Sequence, residues 1–229
     1  MGMVLAIMAY AAFAVFIMRV VVHVALWFKR PWQETGAYPG GGKFKTWRVF
    51  LASLAEAFTL RRLLRTNPVL WAGEWVFHMS FVLVLIRHLR YFLTPVPQFV
   101  WQMQFAGRIA GYVMPFSLLY IIIVKAIVGR GSYTFPYNYF LLITLFLISG
   151  LGVLMTTALH PDIVAVKEYM MSALKLGSIG KVPDSLPFTA HFILALILLV
   201  YLPTHIFAAP FTLYEAKKRE KTLRRILHD

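Results

Sequence analysis

Five stretches of this chain, about residues 3–28, 70–92, 107–129, 136–158 and 187–210, are apolar over the roughly 20 residues a helix needs to cross a bilayer. An unpaired backbone N–H or C=O is too costly in hydrocarbon, so such a segment folds as an α-helix. The sequence therefore predicts an all-α integral membrane protein built as a five-helix transmembrane bundle. Composition agrees, since 60% of the 229 residues are hydrophobic and 14% charged, against about a quarter charged in soluble domains. Five spans and their connections use up the chain, so a single membrane-embedded domain over 1–229 is expected. The first span lacks a basic leading region and a small-residue cleavage site and is expected to persist in the mature protein. Zero cysteines exclude disulfides, thiolate zinc sites, cysteine-held iron-sulfur clusters and a cysteine nucleophile. Any metal then rests on histidine, methionine or carboxylate.

The formal net charge of +14 points to topology and anionic lipid headgroups before it points to nucleic acid, which is not an expected partner. Eight Lys and Arg lie between Lys29 and Arg65, two more are Lys125 and Arg130, and six run from Lys217 to Arg225. Those sixteen share one side; Arg90, Arg108, Lys167, Lys175 and Lys181 lie opposite. The positive-inside rule places the amino terminus outside and the carboxyl terminus in the cytoplasm, in the inner (cytoplasmic) membrane. Within the first connection, residues 31–45 read as a Pro- and Gly-rich loop. Residues 47–66 read as an amphipathic cytoplasmic segment, with Phe50, Leu51, Leu54 and Phe58 on one face, Arg48, Glu56 and Thr59 on the other, and Arg61, Arg62 and Arg65 at its end. It serves either as a headgroup-lying connector or as a dock for a cytoplasmic partner. Residues 211–229 form a basic tail.

Six of the seven histidines lie in or beside the spans: His23, His78, His88, His160, His191 and His205. Ionisable groups in spans are costly and usually face the bundle interior. Span two carries His78 and His88, about 15 Å apart in height, and span five carries His191 and His205, about 21 Å apart. The two helices run in opposite directions, so His88 comes level with His191 toward the outer face and His78 with His205 toward the inner. Two imidazoles on facing helices can ligate a haem iron axially and leave no open position, which suits electron transfer. Zinc would want further ligands. Ten residues leave His88 about 80° around the helix from His78, so the pattern leaves two readings open, paired haem sites or unrelated buried histidines.

The segment Val76-Phe-His78-Met-Ser-Phe-Val-Leu-Val-Leu-Ile-Arg-His88, followed by Leu93-Thr-Pro95, resembles the second span of the nitrate reductase gamma subunit family of dihaem cytochromes b. Weaker likeness continues at Phe105-Ala-Gly107, Ser149-Gly150-Leu151-Gly152, Tyr201-Leu-Pro203 and His205-Ile-Phe-Ala-Ala-Pro210, so it covers nearly the whole chain. The fourteen-residue interval between His191 and His205 is shorter than in nitrate reductase gamma subunits. That departure favours the sulfite reductase-associated or heterodisulfide reductase-like branch. The resemblance implies a single transmembrane cytochrome b domain with two haem b groups, one on His78 and His205 and one on His88 and His191. It further implies electron transfer between a quinone-type carrier and a cytoplasmic iron-sulfur subunit, with no catalytic residue of the chain's own.

Arg19, deep in span one, either pairs with a haem propionate or snorkels to the inner interface. Arg87 and Arg90 flank His88 and could hold the outer haem's propionates, with surface anchoring as the competing reading. Gln102, Gln104 and Arg108 enter span three, and His160 with Asp162 closes span four, on the outer side. Together they could serve a quinone site or be ordinary interfacial residues. A haem-free transporter or scaffold with buried His and Arg lining a proton or anion path is the alternative, but five spans without an internal repeat offer it little. The topology is testable because the chain has no cysteine. In intact cells a membrane-impermeant maleimide should label Gly2→Cys and leave Thr35→Cys and Thr222→Cys unlabelled; the reverse pattern would invert the bundle.

Overall fold

In the computed structural model, residues 2–29, 46–128, 136–175 and 182–203 are described. Every span expected from the sequence has a helix: α1 (Gly2–Lys29), α4 (Pro68–His88), α6 (Gln104–Val128), α7 (Pro136–Leu154) and α9 (Leu186–Pro203). Each contains an apolar stretch of membrane-crossing length, and among the described residues no strand occurs. The chain is a multi-pass membrane protein. The loop 31–45, the end of the fifth apolar stretch with His205, and the tail 211–229 lie outside the described residues.

Helix starts follow from local chemistry. Asn67 accepts a hydrogen bond from Leu70 N at 3.0 Å, with Pro68 in the first turn of α4 where its missing N–H is harmless. Asp162 caps α8 (Ile163–Leu174) by accepting from Val164 N at 2.9 Å and Ala165 N at 3.3 Å. The amphipathic segment is not one helix. Leu60 takes a left-handed conformation, φ 50°, and breaks it into α2 (Thr46–Thr59) and α3 (Arg61–Thr66). Leu51 and Phe58 face away from the protein while Ser53 is buried, so the outward face of α2 is apolar and suits lipid. A short α5 (Gln98–Gln102) leads into α6.

α4 packs on α6 and α6 on α7, around Phe77, Met114, Leu118, Ile121 and Leu142. Close approach is set at Gly73, where an added Cβ would lie 2.5 Å from the Tyr120 ring. Lys125 and Glu74 form an ion pair of 2.9 Å across the same two helices. A second cluster joins Leu5 of α1, Val166 and Tyr169 of α8, and Phe188 of α9. Tyr10 donates to the Ala173 carbonyl at 2.8 Å, and Arg19 to the Val200 carbonyl at 3.1 Å. These contacts tie α1 to α8 and α9. Phe105, Phe116 and Ile127 of α6 are about 70% exposed, an apolar outer surface suited to the hydrocarbon of a membrane.

Overpacking the α4–α6 crossing should cost about 1–3 kcal/mol. Gly73→Val is expected to lower the thermal midpoint of the detergent-purified protein, and adding Tyr120→Ala should recover part of the loss. No change in the single variant would mean that the two helices are not held at this distance.

Candidate functional site

At the end of the bundle where α4 runs out, His88 faces His191 of α9. Their ring centroids are 6.3 Å apart and the planes lie 6° from parallel. His88 Nδ1 sits 2.7 Å from the Val84 carbonyl one turn back, and His191 Nδ1 sits 3.0 Å from the Ile148 carbonyl on α7. A carbonyl only accepts, so each Nδ1 carries the proton and donates it. Each Nε2 is then left with a free lone pair, the tautomer a metal ligand needs. Gly152 of α7 lies beside the ring, where an added Cβ would make ordinary contact with His191 Cε1 at 3.6 Å. Tyr91 meets the His88 ring edge-on, with centroids 6.0 Å apart.

The separation fits a metal held between the two rings. Two metal–nitrogen bonds of about 2 Å, with about 1 Å from each nitrogen to its ring centre, bring two imidazoles to about 6 Å between centroids. Among the described residues no three His, Asp or Glu side chains gather as a metal site. A metal held by these two imidazoles alone must bring its remaining ligands with it, as iron does in a haem.

His78, ten residues and about 15 Å before His88 along α4, has the same ring arrangement, its Nδ1 2.6 Å from the Glu74 carbonyl. Its expected partner, His205, lies outside the described residues. His23 repeats the pattern, with Nδ1 2.8 Å from the Arg19 carbonyl. The Arg19 guanidinium lies 5.8 Å from the centre of the Tyr201 ring, beside the Val200 carbonyl it bonds.

A cationic group surrounds the His88 end. Arg90 donates to Gln104 Oε1 at 3.1 Å and to the Tyr91 hydroxyl, and its Nε is buried without a partner. Arg87 packs against Gly107, where an added Cβ would stand 2.7 Å from Arg87 Cβ. Arg108 is one turn beyond Gln104 on α6. Among the described residues none of the three arginines meets a carboxylate. Arg87 and Arg90 are half-buried and Arg108 is exposed; the buried, unpartnered Nε of Arg90 is the group that favours an anion.

His160 is not part of this group. It sits after a π-helical turn at Met155–Leu159, in a left-handed conformation with φ 31°, and lines a separate cavity with Asp162. The outer polar residues expected to act together are thus divided, with Gln104 and Arg108 beside Arg90 and His160 beside α8. Glu168 and Asp184, which share the cavity with His160, were not singled out from sequence. Their only signal was the rarity of acids in a basic chain.

Two curated relatives match. An Hdr-like menaquinol oxidoreductase cytochrome b-like subunit of Archaeoglobus fulgidus is 30% identical over 69% of this chain and 55% of its own length. Its counterpart in Archaeoglobus profundus is 28% identical over 58% of this chain and 44% of its own. The likeness is to cytochrome b-like membrane subunits. It supports a membrane cytochrome b-like family. The chain spans about half the length of these relatives, and no family model or solved structure matches it.

Proposed function

We propose that this chain is a dihaem cytochrome b subunit of the inner membrane, passing electrons between a quinol-type carrier and a cytoplasmic iron-sulfur redox partner. The observation that carries it is the His88 and His191 pair, 6.3 Å apart, near-parallel and with both Nδ1 atoms engaged by carbonyls. These two would hold the outer haem and His78 with His205 the inner one. A haem held by two histidines would supply one-electron transfer and not oxygen chemistry. Arg87, Arg90 and Arg108 would neutralise the outer haem's propionates, for which the orphaned Arg90 Nε is the support. Arg19 would serve the inner haem, since Tyr201, against which it lies, precedes His205 by one turn's worth of chain. The names of the two relatives support menaquinol as the carrier and a larger oxidoreductase complex as the setting.

Reduced-minus-oxidised absorption of the purified chain tests the haems directly, and a spectrum without a haem signal would sink the proposal. His88→Ala and His191→Ala should each remove the same haem, while His78→Ala and His205→Ala each remove the other. Loss of one common haem from His78→Ala and His191→Ala would break the pairing. For the partner, neutralising Lys217, Lys218, Arg219, Lys221, Arg224 and Arg225 should lower co-purification of the iron-sulfur subunit without bleaching either haem. A complex unchanged at low and high salt would leave the tail as a lipid anchor.

A further inference from the structure

The helix α2 shows the reverse of the pattern a water-facing helix adopts. Leu51, Ala55 and Phe58 follow one another at helical spacing on one face and are exposed, Leu51 at 52% and Phe58 at 61%. Ser53 is buried and Glu56 half-buried. A helix at an aqueous surface turns its apolar stripe toward the protein and its polar side chains outward.

The depth of that outward face is fixed by the next span. Trp71 Nε1 donates to the Thr59 carbonyl at 2.9 Å, which holds the end of α2 against the first turn of α4. That turn opens the apolar stretch Pro68–Tyr91. Trp71 stacks on Trp75 with ring centroids 6.1 Å apart, and tryptophans gather at the headgroup level of bilayers. Leu51, Ala55 and Phe58 therefore belong at the level where a membrane-crossing helix begins.

Between the two helices, α3 carries Arg61, Arg62 and Arg65, all exposed. Arg62 reaches Glu56 at 3.7 Å, while Arg61 and Arg65 meet no carboxylate among the described residues. The left-handed Leu60 turns the chain out of α2, and Leu64 N closes on the Leu60 carbonyl at 3.0 Å to start the new direction. Arg61 and Arg65 lie four residues apart on one face of α3. A guanidinium presents a planar fork of donors that matches phosphate oxygens, and basic residues beside a span are drawn to anionic headgroups.

We propose that α2 and α3 form a docking surface for anionic phospholipid, with Leu51, Ala55 and Phe58 among the acyl chains and Arg61, Arg62 and Arg65 on the headgroup phosphates. Lipid is favoured over a protein partner because the Trp71 bond holds the apolar face where acyl chains already are. The bound lipid would fix the entry into α4, whatever the bundle carries in its interior.

The absence of cysteine makes the face directly measurable. Nitroxide labels on Leu51→Cys and Phe58→Cys of the full chain, in vesicles of mixed phosphatidylcholine and phosphatidylglycerol, should collide more with oxygen than with a water-soluble nickel chelate. Going from pure phosphatidylcholine to that mixture should raise the thermal midpoint by about 5 °C. The combined Arg61→Gln, Arg62→Gln and Arg65→Gln variant should lose most of the gain, and lysine at the same positions should keep part of it. Preferential collision with nickel places the face in water and overturns the proposal. Labels shielded from both reagents in native membranes until other subunits are stripped away would seat a protein there and overturn it too. So would a gain reproduced by inorganic phosphate in phosphatidylcholine vesicles, or one that survives the loss of the three arginines.

Discussion

The hydrogen bond from His191 Nδ1 to the Ile148 carbonyl, 3.0 Å across two helices, does three things at once. It satisfies a polar N–H in a region where water is absent, and it fixes the tautomer so that Nε2 points its lone pair away. It also sets the rotation of the ring, and the His88 bond to Val84 does the same from the other side. With both rotations set, the planes come out 6° from parallel. Neither ring could turn to another partner without leaving a buried N–H unpaired, a cost of about 1–3 kcal/mol. The geometry is therefore held by the bundle's own hydrogen bonds.

That geometry depends in turn on how closely the helices approach. Lipid tails are as apolar as leucine, so burial gives no net drive between helices, and packing and polar contacts decide the arrangement. Gly73 lets α4 sit against Tyr120 of α6, and Gly107 admits the Arg87 stem. The Lys125–Glu74 pair and the Arg19 bond to Val200 add directional ties at the far end. Small residues are thus placed where the site requires proximity, and charged ones where the helices need registration.

The sequence made axial position legible and left angular position open. Twenty-residue apolar stretches showed the five spans, and counting 1.5 Å per residue put His88 level with His191. The 80° offset between His78 and His88 could not be resolved into facing or not facing, because the direction a side chain takes depends on neighbours that the count does not contain. The same limit placed Gln104, Arg108 and His160 at one height without showing that Gln104 bonds Arg90 while His160 lines a cavity with Asp162. Leu60 carries no turn signal, so the break between α2 and α3 was hidden. α8 is short and shares its apolar character with its surroundings; only Asp162 before it marked a start, and its cap is visible once the backbone is known.

Electron paramagnetic resonance of the oxidised His78→Ala protein addresses the central claim, that His88 and His191 hold one haem iron between them. With the other haem removed, the account predicts a single low-spin ferric species with the rhombic signature of two near-parallel axial imidazoles. A high-spin signal, or the strongly anisotropic low-spin signal of perpendicular imidazole planes, would contradict it.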